Sequence, residues 1–165
     1  MKSLLPFLFL LTSCTCFLKG GGENFMWPMR EVVETRNITG WVIEEEAREQ
    51  IRQLYNEAFP LEMGACLYGK VDEAGLLHVL RASVDTTMFA TSENVRFLCE
   101  FSTDILGDVH SHPMVVEPFV FCESSPLDDK DFQEHRFHAF MLVLCHNRRG
   151  FAVLKDGRYW YFTWY

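Results

Sequence analysis

Apolar and polar residues are arranged along the chain in a pattern that predicts one long helix followed by a sheet. Near residue 43, apolar side chains begin to recur every three or four positions, which is the spacing of one buried helix face. Acidic residues at 44–46 suit the first turn of such a helix, and Pro60 ends it. The members of the apolar stripe are Ile43, Ala47, Ile51, Leu54 and Ala58. We therefore expect a helix that packs on the rest of the domain by one side.

Short apolar runs bounded by turn residues follow this helix and predict β-strands. The runs lie at 65–68, 76–84, 95–101, 105–112, 140–145, 150–154 and 159–164. A short helix is an alternative for 95–101, and a second helix is predicted at 128–135. A helix, mostly antiparallel strands, a short helix and further strands together predict an α+β layered domain.

Two histidines lie inside one predicted strand, in the segment GDVHSHP at 107–113. Residues two apart in a strand point to the same side, so His110 and His112 can bind one ion while Ser111 points away. A downstream SPLD segment ends in Asp128, which would supply a third ligand. Two imidazoles and one carboxylate form the ligand set of a catalytic zinc site, which leaves one position for water.

A glutamate upstream extends this pattern. Glu62 precedes a short apolar run, and the HSHP and SxxD segments follow it in order. This combination resembles the JAMM/MPN+ family of zinc metalloproteases, which includes deubiquitinase-like isopeptidases, over roughly residues 40–165. The resemblance implies the family's layered domain, with a mostly antiparallel central sheet flanked by helices. It also implies one zinc ion per chain, bound by His110, His112 and Asp128.

The same resemblance implies a role for each matched residue. A zinc-activated water attacks a peptide or isopeptide carbonyl, Glu62 moves a proton from that water to the leaving amine, and the hydroxyl of Ser125 stabilises the oxyanion. Each residue also has an ordinary structural explanation. Glu62 could be an exposed acid after a helix, and the two histidines could be ordinary strand residues. Ser125 and Asp128 could be a helix cap and its first-turn acid, so only the combination favours an enzyme.

The interval between the second histidine and the aspartate is longer than the family's usual one. Residues 113–127 separate them here, and the usual interval would reach Glu123, whose carboxylate could also bind zinc. Asp128 is preferred because Ser125 precedes it at the family's spacing. The additional residues, 114–122, would form a longer loop that could reshape or block the cleft. A catalytically weak or inactive scaffold or binding module is therefore the alternative function.

The cysteines of the predicted domain are not expected to form a disulfide framework. Cys66, Cys99 and Cys145 lie in apolar runs, where a buried thiol behaves as a small hydrophobe. A cysteine hydrolase is a second enzyme hypothesis, with Cys66, Cys99 or Cys122 as the nucleophile. None of the three has a recognisable nucleophile context, so this hypothesis is the weaker one.

The other histidines are predicted to lie outside the site. His135 and His138 straddle a helix end and the start of a strand, His78 takes an exposed strand position, and His146 lies in a loop. We expect no metal ligand among these four side chains.

The net charge of the chain limits the classes of molecule that it is expected to bind. With a net charge of -8 and no basic cluster, nucleic acid is not expected to be a main partner. The family resemblance implies a peptide or protein substrate, and ubiquitin-like proteins would be the candidates in the cytoplasm. Outside the cytoplasm, a peptide, a cell-wall crosslink or a host protein would replace them.

The N-terminal residues predict export. Lys2 is followed by an apolar run at 4–11 that has the length of a secretory signal and is too short to span a membrane. The segment LTSC that ends at Cys14 resembles a bacterial lipobox, so residues 1–18 are expected to contain a signal peptide. The mature chain would be a bacterial lipoprotein that contacts the membrane through a lipid on Cys14.

A glycine-rich stretch follows and predicts a flexible connection. Residues 19–39 would form this linker, and residues 40–165 would form the metalloprotease domain. Translation from Met26 or Met29 would instead produce a cytoplasmic protein.

Overall fold

The computed structural model describes residues 34–99, 102–113, 122–135, 138–146 and 148–164. The expectations for the signal peptide, the lipobox and most of the linker concern residues outside these ranges, as do those for residues 114–121 of the longer loop. Within the described ranges, no helix is both long and apolar enough to cross a membrane.

Strands dominate the described chain. They are β1 (Gly40–Ile43), β2 (Gly64–Val71), β3 (Leu76–Ser83), β4 (Thr86–Ala90), β5 (Val95–Leu98), β6 (Ile105–His112), β7 (Phe140–Cys145), β8 (Arg149–Leu154) and β9 (Tyr159–Thr163). The helices are α1 (Glu45–Ala58) and α2 (Pro126–Glu134), and a 3-10 turn covers Thr35–Asn37. The predicted helices and strands are confirmed, and the uncertain run that begins at Val95 forms a strand. The apolar pattern does not predict β4, because most of its side chains are exposed.

Seven of the described strands form one mixed sheet in the order β1-β3-β2-β6-β7-β8-β9, and β4 and β5 form a separate antiparallel hairpin. The pairs β1–β3 and β6–β7 are parallel, and the other neighbours are antiparallel. The expectation of a mostly antiparallel sheet flanked by helices is therefore refined to a strand-rich α+β domain with a mixed sheet, in which four of the six pairs of neighbouring strands are antiparallel. The reason is topological, since each connection that leads to a parallel neighbour contains a helix, α1 before β3 and α2 before β7.

The two faces of the sheet are covered by different elements. On one face, α1 packs by Ala47 and Ile51 into the larger apolar core. On the other face, α2 packs by Phe132 into a second, smaller core. Strand β7 contributes Leu142 to the first core and Val143 to the second. A strand that is buried on both faces reads as a continuous apolar run, which is why β7 shows no alternation in the sequence.

Four cysteines form two disulfide bonds, which corrects the expectation of buried free thiols. Cys66 of β2 is bonded to Cys99, and Cys122 is bonded to Cys145 at the end of β7. The partners are separated by 33 and 23 positions in sequence. Such pairs come together only when the strands align, so cysteine spacing alone does not reveal them.

Candidate metal centre

Strand β6 presents three chemically active side chains on one face of the sheet. Asp108, His110 and His112 alternate with residues that face the α1 side, as the spacing of two predicts. Ser111 points to that other side, where its Oγ accepts a hydrogen bond from the backbone N–H of Met63 at 2.8 Å. The N–H of Ser111 in turn donates to the carbonyl of Met63 at 2.9 Å. Ser111 therefore joins the strand that carries the histidines to the segment that carries Glu62.

Helix α2 brings Asp128 to the same place. Ser125 is its N-cap, with its Oγ accepting a hydrogen bond from the Asp128 N–H at 3.2 Å. Asp128 completes the capping box, because its Oδ2 accepts from the Ser125 N–H at 2.7 Å. The same Oδ2 lies 3.3 Å from Nε2 of His110 and 3.4 Å from Nε2 of His112. The cap fixes the carboxylate at the helix start, facing both imidazoles.

The atoms of this cluster fit a bound metal ion. One nitrogen from each histidine and one oxygen of Asp128 all lie within 4.8 Å of one another. Nε2 of His110 is buried and makes no well-aligned hydrogen bond, although Oδ2 of Asp128 lies 3.3 Å away. A bound metal ion would give this buried nitrogen a well-directed contact. Two imidazoles and a carboxylate suit zinc, so this cluster could hold that ion.

The charges of the cluster are strongly coupled. Burial alone would lower the pKa of His110, but the carboxylates of Asp108 and Asp128 raise it to about 10. For Asp128, burial favours the neutral acid, yet the neighbouring His110 and His112 hold its pKa well below the ordinary value. Without a metal, this site therefore favours a cationic imidazole beside an anionic carboxylate.

A third histidine, His138, lies behind the cluster. Asp108 is buried, and its Oδ1 lies 3.6 Å from Nδ1 of His110. Its Oδ2 accepts a hydrogen bond from Nδ1 of His138 at 2.9 Å. His138 is buried and its ring stacks on His135, with the centroids 4.8 Å apart. Asp108 thus lies between His110 and His138 and faces the nitrogen of His110 that points away from Asp128.

The sequence interpretation assigned no role to Asp108 or His138. Asp108 lies two positions before His110 and therefore on the same side of the strand, so the GDVH segment contained the signal for it. No local pattern could have revealed His138, which reaches Asp108 only because β6 and β7 pair in parallel.

Glu62 lies at the edge of the cluster. Gly64 is the antiparallel partner of His110, so continuing the register by two residues places Glu62 opposite His112, on the same face. Its side chain is buried, with an exposed fraction of 6%, which corrects the alternative of an exposed acid after a helix. Burial raises the pKa of Glu62, and the charges of His112 and His110 oppose this only in part.

The β4–β5 hairpin borders the site on the Glu62 side. The N–H of Glu62 donates to the carbonyl of Thr91 at 2.6 Å, in the turn of the hairpin. The ring of Phe97 lies so close to Gly64 that an added Cβ would come within 2.2 Å of it. Glycine at position 64 therefore lets the hairpin lie against the start of β2.

Glu123 does not join the cluster. Its carboxylate accepts a hydrogen bond from the hydroxyl of Tyr161 on β9, and this contact raises the pKa of Tyr161 to about 12. Of the two carboxylates that the sequence offered as the third ligand, the fold brings Asp128 to the histidines, whereas Glu123 contacts Tyr161. Ser125 is engaged as the helix cap, and its role toward an oxyanion stays a prediction.

The structure also shows the surroundings of the candidate cysteine nucleophiles and of His78. Cys66, Cys99 and Cys122 are all in disulfides, so a cysteine nucleophile among them is wrong in this structure. His78 is half-buried rather than exposed, and it contacts Glu44.

A further histidine matches its predicted surroundings. His146 is an exposed turn residue, as expected, with its ring stacked on Phe59 at 5.3 Å between centroids.

No protein-family model and no curated protein matches the chain. Among solved structures, it is similar to a JAB1/MPN domain protein from Archaeoglobus fulgidus, at 20% identity and a TM-score of 0.46, over 74% of this chain and 94% of the other. The same values relate it to a structure described as JAMM, a metalloprotease-like zinc site in the proteasome and signalosome. A solution structure of a Desulfitobacterium hafniense protein is similar at 16% identity and a TM-score of 0.49, over 74% and 90% of the two chains. The chain thus resembles JAB1/MPN domain proteins, while at such identities and TM-scores its function has to be inferred from the geometry of the site.

Proposed function

We propose that this chain is a zinc-dependent metallopeptidase that hydrolyses peptide or isopeptide bonds. The observation that carries the proposal is the convergence of His110, His112 and Asp128, whose ligand atoms all lie within 4.8 Å of one another. Three such ligands on zinc, with an open fourth position, are typical of a catalytic rather than a structural site. The motif resemblance to JAMM/MPN+ proteases supports the same assignment.

Each residue of the site would have a separate role in this hydrolysis. Zinc, when bound, would lower the pKa of a coordinated water to roughly 7 and polarise the scissile carbonyl. Glu62 would accept the proton of that water and return it to the leaving amine, a task suited to a buried carboxyl with a raised pKa. Asp108 would hold His110 with Nε2 toward the ion, by facing Nδ1. Ser125, the helix cap hydrogen-bonded to Asp128, would donate a hydrogen bond from its hydroxyl to the oxyanion.

The central test is metal content together with hydrolysis. The purified protein should contain about one zinc per chain by elemental analysis and should cleave members of a peptide library. Replacing both His110 and His112 with alanine should remove both properties, whereas His146→Ala, at an exposed turn, should keep both. A wild-type protein that purifies without zinc, and does not take it up, would favour the inactive scaffold or binding module instead.

We further propose that the chain works outside the cytoplasm, on a peptide, a cell-wall crosslink or a host protein. The two disulfides support this, since disulfides persist in oxidising compartments and are rare in the cytosol. The apolar run at 4–11 and the LTSC segment that ends at Cys14 agree with export through a lipid-anchored route. Ubiquitin-like substrates become the candidates if the chain remains in the cytoplasm.

A further inference from the structure

The Cys122–Cys145 disulfide lies beside the candidate metal ligands. Cys145 ends β7 and is the direct strand partner of His112. Cys122 precedes the helix cap Ser125 by three positions. The bond therefore connects two parts of the chain. One is the segment that leads to Asp128, and the other is β7, the strand that pairs with the histidine-bearing β6.

Besides the disulfide, a second contact holds helix α2 against the end of β7. Its buried residue, Phe132, packs in one apolar cluster with both cysteines of the disulfide. Asp128 lies between these two attachments, six residues after Cys122 and four before Phe132. At the other end of the helix, the hydrogen bond from Lys155 Nζ to the carbonyl of the C-cap residue His135 involves exposed groups.

The disulfide shortens the chain that separates Asp128 from a fixed point. Along the backbone from His112, residues 113–127 intervene before the aspartate. Measured from Cys122, only residues 123–127 intervene. A shorter tether leaves fewer conformations to be lost when the carboxylate binds a metal, because the entropy of loop closure grows with loop length.

We propose that the Cys122–Cys145 disulfide positions Asp128 for the metal, so that zinc affinity depends on this bond. The inference rests on the proposed metal site. Neither cysteine would touch the ion; both are positioning residues that act through Asp128.

The second disulfide provides a matched control. Cys66–Cys99 is also buried in part and joins β2 to the chain just after β5. It fastens the hairpin on the Glu62 side, and within the described residues its apolar cluster contains no residue of α2. Removing it should cost stability through the same loss of a crosslink, without releasing Asp128.

The test compares the double variants C122A/C145A and C66A/C99A with the wild type. Alkylation of the unfolded, unreduced wild-type protein followed by peptide mass spectrometry should first show no free thiol at these four cysteines. Competition with a chromogenic zinc chelator should then give an affinity about tenfold to a hundredfold weaker for C122A/C145A, the range seen when the support of a metal ligand is lost. C66A/C99A should stay within about threefold of the wild type on the same scale.

A comparison in the D128A background shows whether the disulfide acts by positioning Asp128 or by a general effect on the structure. In a D128A background, removal of Cys122–Cys145 should change zinc affinity little, because the ligand on which it acts is gone. Additive losses, equal losses in the two disulfide variants, or free thiols in the wild type would each overturn the inference. Should C122A/C145A not fold, the same competition on folded C66A/C99A before and after reduction by a phosphine tests the bond directly.

Failure of the proposed function can be distinguished from failure of the role proposed for the disulfide. A wild type that binds no zinc would refute the proposed function itself. A wild type that binds zinc, together with a C122A/C145A variant of equal affinity, would refute only the role of the disulfide.

Discussion

Asp128 Oδ2 lies 3.3 Å from His110 Nε2, although Asp128 belongs to α2 and His110 to β6. The same oxygen accepts the hydrogen bond from the Ser125 N–H that closes the capping box. Helix capping and the candidate metal site are thus built from one carboxylate. The ordinary explanation of Ser125 and Asp128 as a cap and the functional explanation of Asp128 as a ligand are therefore both compatible with the geometry.

Substitutions at the two capping residues should separate these roles. Asp128→Asn keeps an oxygen that can accept the hydrogen bond from the Ser125 N–H but loses the anionic ligand, so zinc affinity should fall. The zinc-free protein should also lose some stability, because the ion pair with His110 is removed while the cap remains. Ser125→Ala should cost about 1 kcal/mol of stability through the lost cap and should retain most of the zinc affinity. Chelator competition and urea denaturation measure the two effects, and zinc loss in Glu123→Ala would instead identify Glu123 as the ligand.

Glu62→Gln should leave the fold and the zinc content intact while turnover falls by about a hundredfold or more, because an amide cannot carry the proton of the water. The measurement is kcat on the best peptide substrate, with zinc content determined on the same sample. Near-normal kcat would exclude Glu62 as the general base. Glu93→Gln, at an exposed position in the neighbouring hairpin turn, is the matched control and should keep most of the activity.

Asp108 and His138 should affect metal binding and stability differently. Asp108→Asn weakens the group that faces Nδ1 of His110, so zinc affinity should fall about tenfold. His138→Ala removes the hydrogen-bond donor of a buried carboxylate, so the zinc-free protein should lose about 1–3 kcal/mol of stability. Unchanged zinc affinity in Asp108→Asn, with the fold intact by circular dichroism, would contradict the positioning role.

Zinc binding should release a proton at neutral pH. The pKa of His110 is raised from 6.5 to about 10 in the zinc-free fold, and zinc requires the neutral imidazole. Zinc affinity should therefore rise with pH up to about pH 10. Calorimetry in buffers of different ionisation enthalpy measures the released proton, and no buffer dependence at pH 7.5 would contradict the coupling, with roughly one proton expected per zinc.

The sign of the corresponding stability effect follows from the same shift. Because the folded pKa of His110 exceeds its unfolded value, the protonated side chain stabilises the zinc-free fold fully below pH 6.5. That contribution should be lost as the pH rises through about 10. Urea denaturation of the zinc-free protein across this range, with His110→Ala as the reference, measures it.

The proposed location can be tested at Cys14. If a lipid on this residue anchors the chain, Cys14→Ser should release the protein into a soluble fraction or leave an unprocessed precursor. Fractionation and mass spectrometry of the mature N-terminus provide the measurement. An unmodified cytoplasmic chain that begins at Met26 would contradict the anchor and would return ubiquitin-like proteins to consideration as substrates.

The sequence by itself determined the features that depend on neighbours along the chain. The helix stripe that ends in Ala58, the strand runs and the shared side of His110 and His112 follow from periods of 3.6 and 2, which are local properties of the backbone. The capping box of Ser125 and Asp128 is local too, because its two hydrogen bonds close within four residues.

The tertiary structure decided everything that depends on which strands become neighbours. Parallel pairing of β6 and β7 brings Cys145 beside His112, and the connection between these strands returns Asp128 to the histidines while Glu123 turns to Tyr161. The two disulfides, the contact of His138 with Asp108 and the mixed sheet likewise depend on contacts between residues that are distant in the sequence. Residues separated by tens of positions meet only when burial of the apolar strands fixes the order of the sheet, and no local period along the chain encodes that order.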